Sequence, residues 1–359
     1  MAKYIIREAH NDVLNIAQLR AKIKEFQPIE PEEYTLYWNS FIKDNPCSTQ
    51  KALIAVNEQN RVIAHIAMVP FKFRKDEKLL LGGFICELMV DEDYRQELLF
   101  PKMLLKMLKE YKDLGVDFVY SLSNREKVVK AYQSFSFRII GELDVYAKPY
   151  KLTKIVQYFI KNKILNAILR PCLSTIERLS FLRRRAGRTY PYLEITEIPR
   201  FDLNIDQFIS NVQKHFPYCI LRNSTILNWR TVDSPTRKYQ ILVVKEKGNI
   251  IGYIILRRMK MKQFDVLAIV DILFSPERVD VGRALLNATH KIALQLNVDM
   301  STFLSSPHDP LFPILKKYGY FKTPDTFYLF LHEHKGSNLQ FKEDTFNKWH
   351  LTWLDHDSV

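Results

Sequence analysis

Apolar positions recur at two different spacings along this chain, and the alternation between the two spacings outlines its elements. A short strand is expected over residues 4–8, and helices over 11–26 and 32–43, with Asn11 as a candidate cap. Residues 51–57 and 61–73 are rich in β-formers and flank Glu58-Gln59-Asn60, a hairpin signal. Residues 84–90 are almost continuously apolar, as befits a strand covered on both faces. Asp91, Glu92 and Asp93 break that run, after which Leu98, Leu99, Met103, Leu104 and Leu108 return at helical spacing, with Lys102, Lys106 and Lys109 on the wet side. A strand over 117–122, a helix over 126–134 and a strand over 137–146 follow.

After a different kind of stretch, a similar order begins again. Helices are expected at 206–214 and from 224, and strands at 239–245 and 250–259 around Glu246-Lys247-Gly248-Asn249. A strand over 266–274, a helix over 281–296, a strand over 300–304, a helix over 311–318 and a strand over 327–332 complete it. The repetition predicts an α/β chain with mixed sheets (α+β in detail) and two tandem domains at 1–150 and 198–335, followed by a tail at 336–359. The stretch between them, 151–197, reads as a connector. Within 151–188 there are ten basic residues and one acid, Glu177, so this segment carries most of the net charge of +13. Ile155, Val156, Phe159, Ile160, Ile164, Ile168 and Leu169 form an apolar stripe on it, Pro171 interrupts, and Leu173, Ile176, Leu179 and Leu182 continue. Basic amphipathic helices fit either a connector packed on its own domains or a segment resting on anionic lipid.

A strand that feeds a helix through a tight turn presents unpaired backbone N–H groups and the positive end of the helix dipole, a ready seat for phosphate. Here Val90-Asp91-Glu92-Asp93-Tyr94-Arg95 and the following Lys102-Met103-Leu104 resemble the coenzyme A motif of the GNAT acyltransferases, in which a V-x-P-x-Y-R strand end is followed by Q/R-x-x-G-x-G/A. The order of elements in 1–150 also matches that of a GNAT domain. The resemblance places the diphosphate on the backbone of Arg95, Gln96, Glu97, Leu98, Leu99 and Phe100, with Arg95 at the Q/R position and Leu98 and Phe100 where the family has small residues. Tyr132-Gln133-Ser134-Phe135-Ser136-Phe137 resembles Y-x-K-x-G-F, which makes Tyr132 the expected proton donor to the leaving thiolate. Glu87 lies near the family's glutamate base. Met89 or Val90 would offer the backbone group that holds the thioester carbonyl, and Asn124 would bind the pantetheine arm. Gly282-Arg283-Ala284-Leu285-Leu286 and Leu315-Lys316-Lys317-Tyr318-Gly319-Tyr320 resemble the same two motifs again, with Leu315 in the tyrosine's place, so the second domain is expected to support the first. Asp271 is its buried-acid candidate.

Asn228-Trp229-Arg230 with Pro235 and Tyr239, Val270-Asp271-Ile272-Leu273, and the terminal Trp349-His350-Leu351-Thr352-Trp353-Leu354-Asp355-His356-Asp357 are similar to motifs of tandem acyl-CoA N-acyltransferases found with bacterial exopolysaccharide or surface-glycan assembly. That resemblance implies acyl-CoA, acetyl-CoA foremost, as co-substrate and an amine as acceptor, such as an amino sugar or glycan precursor. Two other readings stay open: a non-catalytic binding module, and an aminoacyl transferase acting on a cell-wall precursor.

Composition narrows the rest. A 47% hydrophobic content is ample for packed cores, and no apolar run approaches the roughly 18 residues of a membrane span. Residues 1–20 lack the apolar core of a signal peptide. Cys47, Cys86, Cys172 and Cys219 show no metal-ligand or redox spacing, so they are read as reduced thiols of a cytoplasmic protein, peripheral at the inner membrane face if the basic stretch meets lipid. His308-Asp309, His350, Asp355, His356 and Asp357 do not have the spacing of converging metal ligands, and no metal is expected. The positive charge is concentrated in the amphipathic stretch, which lacks a nucleic-acid motif, and this argues against nucleic acid as a partner.

Overall fold

The period-2 and period-3.6 stretches fold as strands and helices close to where the pattern puts them. The computed structural model describes residues 4–24, 26, 29–47, 50–160, 165, 168–175, 177, 190–334 and 336–357. The chain forms two α/β units. One comprises Met1–Glu142, Pro217–Lys238 and Phe327–Trp349, and the other Leu143–Phe216, Tyr239–Thr326 and His350–Val359. The units are therefore interleaved in sequence, in place of the linear division at 150 and 198.

In unit 1, β1 (Tyr4–Glu8), β2 (Lys51–Asn57), β3 (Val62–Lys75) and β4 (Lys78–Val90) pair antiparallel in that order. β4 then pairs parallel with β5 (Phe118–Ser123). The next strand of this sheet comes from the far end of the chain, where Tyr328–Glu333 runs antiparallel to β5. α1 (Val13–Lys22), α2 (Pro31–Trp38), α3 (Leu99–Glu110) and α4 (Glu126–Ser134) complete the first stretch of the unit. Leu99, Met103, Leu104 and Met107 of α3 share one core with Leu53, Ile63, Ile66 and Met68 of the sheet and with Val128 and Tyr132 of α4. Each such side chain contributes about 1.5–3 kcal/mol through burial, which anchors α3 on the sheet.

Three local expectations are corrected. The first helix is preceded by Asp12 at its cap position, not Asn11. The Asp12 carboxylate takes both guanidinium nitrogens of Arg7, at 2.8 Å each, and the His10 N–H, which holds it below the usual carboxylate range. The second helix ends at Trp38 and runs on as a π-type turn over Asn39–Lys43. The apolar strand expected at 84–90 begins earlier, at Lys78, because Asp76 adopts φ 53° and closes a hairpin with β3 that the sequence does not advertise with glycine.

The later strands are β6 (Arg138–Pro149), β7 (Glu194–Ile198), β8 (Tyr218–Ile220, in unit 1 and antiparallel to the end of β3), β9 (Gln240–Glu246), β10 (Asn249–Met261), β11 (Phe264–Phe274) and β12 (Met300–Ser305). In unit 2 the sheet runs β6–β12–β11–β10–β9–β7. β6 (Arg138–Pro149), which follows α4 in sequence, contributes Asp144–Pro149 here, antiparallel to β12. α5 (Leu152–Phe159) leads out of β6, and α6 (Leu203–Val212), capped by the Asp202 side chain, follows β7. α7 (Ser224–Arg230) belongs to unit 1. α8 (Val279–Gln295) follows β11, and α9 (Phe312–Lys317) follows β12. Of the basic stretch, residues 161–164, 166–167, 176 and 178–189 lie outside the described residues. Lys151 and Lys154 both pair with the buried carboxylate of Asp299, so part of its charge is spent inside unit 2.

Candidate functional site

β4 and β5 are paired only where Gly82, Gly83 and Phe84 lie beside Phe118, Val119 and Tyr120. Beyond that point β4 stays on β3, while β5 follows its other neighbour as far as Ser123. The parallel pair thus splays, and unpaired backbone of two strands faces one cleft. A β-bulge sits on the β4 side of it. Register runs from Ala67 opposite Cys86 to His65 opposite Met89, so Glu87 and Leu88 together oppose the single residue Ile66, and Glu87 takes φ 51°. Such a conformation costs a β-carbon residue on the order of 1–3 kcal/mol and persists only where neighbours impose it.

Tyr34 and His65 impose it. Tyr34 donates its hydroxyl proton to Glu87 Oε2 at 2.5 Å. Burial, and then the charge of Glu87, pushes the Tyr34 phenol well above its ordinary value, so it stays a donor. His65, fully buried, donates from Nδ1 to the Glu87 carbonyl at 2.9 Å, and its Nε2 accepts from Trp38 Nε1 at 3.3 Å. Both partners demand the neutral ring with its proton on Nδ1. Burial pushes His65 down to about 4, against the opposing pull of the Glu87 carbonyl. On the β5 side, Tyr132 donates to Ser121 Oγ at 3.1 Å, and Ser121 donates to the Ile85 carbonyl at 3.1 Å, just past the last parallel-paired residue of β4.

Unit 2 repeats the geometry with a different ending. β11 and β12 pair in parallel only through Val266–Ala268 and Met300–Thr302, and β11 has its own bulge at Val270. Asp271 lies five residues past the first parallel-paired residue, as Glu87 does. It is fully buried and accepts from Tyr253 at 2.6 Å and from Thr352 at 2.8 Å. The cleft between these strands is taken up by the chain's own terminus. His350 and Thr352 line it with Ile269, Ile272, Phe303 and Leu304, leaving about 10 Å³. His350 donates from Nδ1 to Asp309 at 2.6 Å, and among the described residues its buried Nε2 meets no partner.

No protein-family model and no curated protein sequence matches the chain. Solved structures do. A GCN5-related N-acetyltransferase from Anabaena variabilis superposes with TM-score 0.61 at 13% identity, over 92% of this chain and 72% of that one. The Saccharomyces cerevisiae N-myristoyltransferase with bound myristoyl-CoA gives 0.63 at 10% identity, over 94% and 80%. A putative acetyltransferase from Pyrococcus horikoshii gives 0.56 at 11%, over 93% and 91%. The fold is similar to that of the GCN5-related N-acetyltransferases.

Within this GNAT-like fold the expected site residues separate into groups. Glu87, Met89 and Val90 lie together on β4 at and beyond the bulge, with Met89 opposite His65 and Val90 opposite Ala64. Tyr132 is at the same cleft but only 1% exposed, packed against Phe137 and Phe330 and edge-on to Phe100. Arg95, Gln96 and Glu97 end a 3₁₀ turn, where Arg95 is exposed and 3.9 Å from Glu92, and the Glu97 carbonyl accepts from Lys102 Nζ at 3.0 Å. Leu98 adopts φ 55°, the left-handed region, and is 61% exposed. A leucine thus stands, where the resembled motif has glycine, in a conformation that favours glycine. Leu99 is buried in the core, and Pro101 in the first turn of α3 removes one N–H. Asn124 is exposed, one residue after β5.

Tyr34, Trp38, His65 and Ser121 escaped the sequence reading. Tyr34 and Glu87 are 53 positions apart, and nothing in their local pattern links them. The NWR motif is in unit 1, where Trp229 stacks on Phe41 and donates to the Ser40 carbonyl at 2.7 Å, and Arg230 lies 4.5 Å over the Phe41 ring. Gly282, read as a phosphate-loop glycine, serves packing: a β-carbon there would lie 2.4 Å from Phe274 Cζ. At the start of α8, Arg278 is held by Asp280 and Glu246, which raises it, first through Asp280.

Proposed function

We propose that this chain transfers an acyl group, acetyl foremost, from coenzyme A to an amine, and that unit 1 carries the reaction. The observation that supports this reading is the splayed β4–β5 pair with a carboxylate on one side and a tyrosine–serine relay on the other. The thioester arm lies between the strands, its diphosphate on the backbone of residues 95–100. Backbone N–H groups of Met89 or Val90 hold the carbonyl oxygen as negative charge develops on it. Glu87, fixed by Tyr34 and by the His65-anchored bulge, takes the proton of the attacking ammonium. Attack forms the C–N bond, the C–S bond breaks, and Tyr132, through Ser121, supplies the proton to the departing thiolate. Unit 2 does not carry the thioester in this reading, because its own terminus fills the corresponding cleft.

The acceptor we favour is an amino sugar or another glycan precursor, on the strength of the NWR and terminal motif resemblances. The basic stretch from 151 would bring the protein to the anionic inner face of a membrane. Leu165 and Ile168, at 43% and 64% exposure, support an apolar edge on it. Among the described residues no helix is long and apolar enough to cross a membrane.

Calorimetric titration with acetyl-CoA, followed by thiol release in the presence of a panel of amino sugars and amines, tests the reading. Glu87→Gln and Tyr132→Phe should each lower turnover about 10²–10⁴-fold while leaving acetyl-CoA binding near wild type. Absence of binding heat at millimolar acetyl-CoA, or full turnover by Glu87→Gln, would reject it.

A further inference from the structure

Unit 1 holds more positive charge beside Glu87 than the proposed reaction uses. Arg20 stands in the last turn of α1, a helix fixed by the buried Ile16, Ala17 and Leu19. Its guanidinium carbon lies 5.3 Å from the centre of the Tyr34 ring, whose hydroxyl donates to Glu87 Oε2 at 2.5 Å. One phenol ring therefore separates this cation from the carboxylate. Burial and the charge of Glu87 push that phenol up, and the charge of Arg20 pulls it the other way. The same guanidinium is 4.7 Å from the centre of the Phe26 ring. Arg125, the exposed residue after Asn124 at the end of β5, is 5.6 Å from the same centre. One aromatic ring thus carries two cations close to the end of the splayed strand.

Among the described residues neither arginine has a carboxylate within ion-pair distance, and Glu126, next to Arg125 in sequence, is held by Lys130 at 2.6 Å. Nη1 of Arg20 is buried and, among the described residues, meets no hydrogen-bond acceptor. A buried guanidinium N–H without an acceptor is costly, and two like charges on one ring repel; an anion beside both relieves both costs. A cation in the last turn of a helix also suits the dipole, but the exposed Lys22 does that from water, and the dipole gives no reason to bury Nη1.

We propose that Arg20 selects the acceptor: the amine that Glu87 deprotonates belongs to a molecule that also carries a carboxylate or phosphate, and that anion sits on the Arg20 guanidinium, with Arg125 as its second cation. This rests on the acyltransfer reading of unit 1 and narrows its acceptor from amines in general to anionic amino sugars. A guanidinium is planar, always charged, and offers paired N–H donors that match a carboxylate or phosphate. Tyr34 sets the spacing. A pyranose is about as wide as a phenol, so an amine at Glu87 leaves an anion on the same sugar within reach of Arg20. The phosphates of the coenzyme do not compete, because the same reading seats them on residues 95–100.

The test is thiol release from acetyl-CoA by the full chain with glucosamine, glucosamine 1-phosphate and glucosaminuronic acid, which put no anion, a phosphate and a carboxylate on one ring. An anionic acceptor should exceed glucosamine in kcat/KM by at least about tenfold, mainly through KM, and the better of the two separates phosphate from carboxylate. Arg20→Gln should abolish that preference while calorimetry finds acetyl-CoA affinity near wild type. Arg20→Lys should keep part of it, since the charge remains and the fork is lost. Should Arg20→Gln melt early, the wild-type preference and Arg125→Gln, which should reduce it, still decide. Glucosamine turned over as well as both anionic acceptors, or a preference unchanged in Arg20→Gln, overturns the inference and leaves the acyltransfer reading standing. A fall in acetyl-CoA affinity in Arg20→Gln as large as the lost preference assigns the arginine to the coenzyme and overturns it too. No thiol release with any amine overturns the acyltransfer reading and this inference together.

Discussion

Acidification should loosen the bulge that carries Glu87, and the size of the effect follows from one imidazole. His65 is fully buried, and its two hydrogen bonds both require the neutral ring: protonation would place an Nε2 proton against the indole N–H of Trp38. Its folded value is pushed down to about 4, from an ordinary 6.5 in the unfolded chain. Between those values the unfolded state binds the extra proton, so stability rises with pH; the contribution is complete above about 6.5 and is lost as pH falls toward 4. At about 1.36 kcal/mol per unit, the loss is about 2 kcal/mol by pH 5 and about 3 kcal/mol by pH 4. Urea unfolding at pH 7, 6 and 5, followed by a fluorescence signal from unit 1, measures it. His65→Asn keeps an N–H for the Glu87 carbonyl but cannot titrate. It should be weaker than wild type by about 1–3 kcal/mol at pH 7, from the Trp38 N–H left without its partner, and should show a shallower fall between pH 6.5 and 5. Imidazole NMR should find His65 neutral at pH 5.5. Parallel pH slopes for the two proteins, or a ring titrating near 6.5, would refute the reasoning.

Leu98→Gly relieves a left-handed conformation worth about 1 kcal/mol and gives up a side chain that is mostly in water, so stability should move by less than about 1 kcal/mol while acetyl-CoA affinity rises; an unchanged affinity would remove the diphosphate from this turn. Gly282→Ala should destabilise by about 1–3 kcal/mol, read as a drop in urea midpoint, because its β-carbon meets the Phe274 ring. The full chain should co-sediment with vesicles containing anionic lipid at low salt and be released at high salt, and absence of binding at low salt would reduce the basic stretch to a connector.

Elements were legible where pattern and propensity agree. α3 is a case: of the positions its helical spacing picks out, Leu99, Met103 and Leu104 are buried within Leu99–Glu110. Glu87 was placed on the right strand, because a lone acid in an apolar run is visible in one dimension. The residues that hold it were not, because Tyr34 and His65 reach it through tertiary contacts that leave no periodic trace. His350 and Asp309 show the same limit: their spacing in sequence gives no sign of contact, yet they meet at 2.6 Å from 41 positions apart. Leu98 marks a subtler case. A glycine would have announced the left-handed turn, and a leucine in the same conformation does not.

The late arrival of Tyr328–Glu333 beside β5 has a consequence for how the protein is made. β5 is complete at residue 123, but its outer neighbour emerges from the ribosome some 200 residues later, on the order of ten seconds or more at about 5–20 residues per second. For that interval a fully buried strand, Phe118–Ser123, has an open hydrogen-bonding edge. Fragments ending near residue 150 would keep that edge indefinitely and are expected to aggregate.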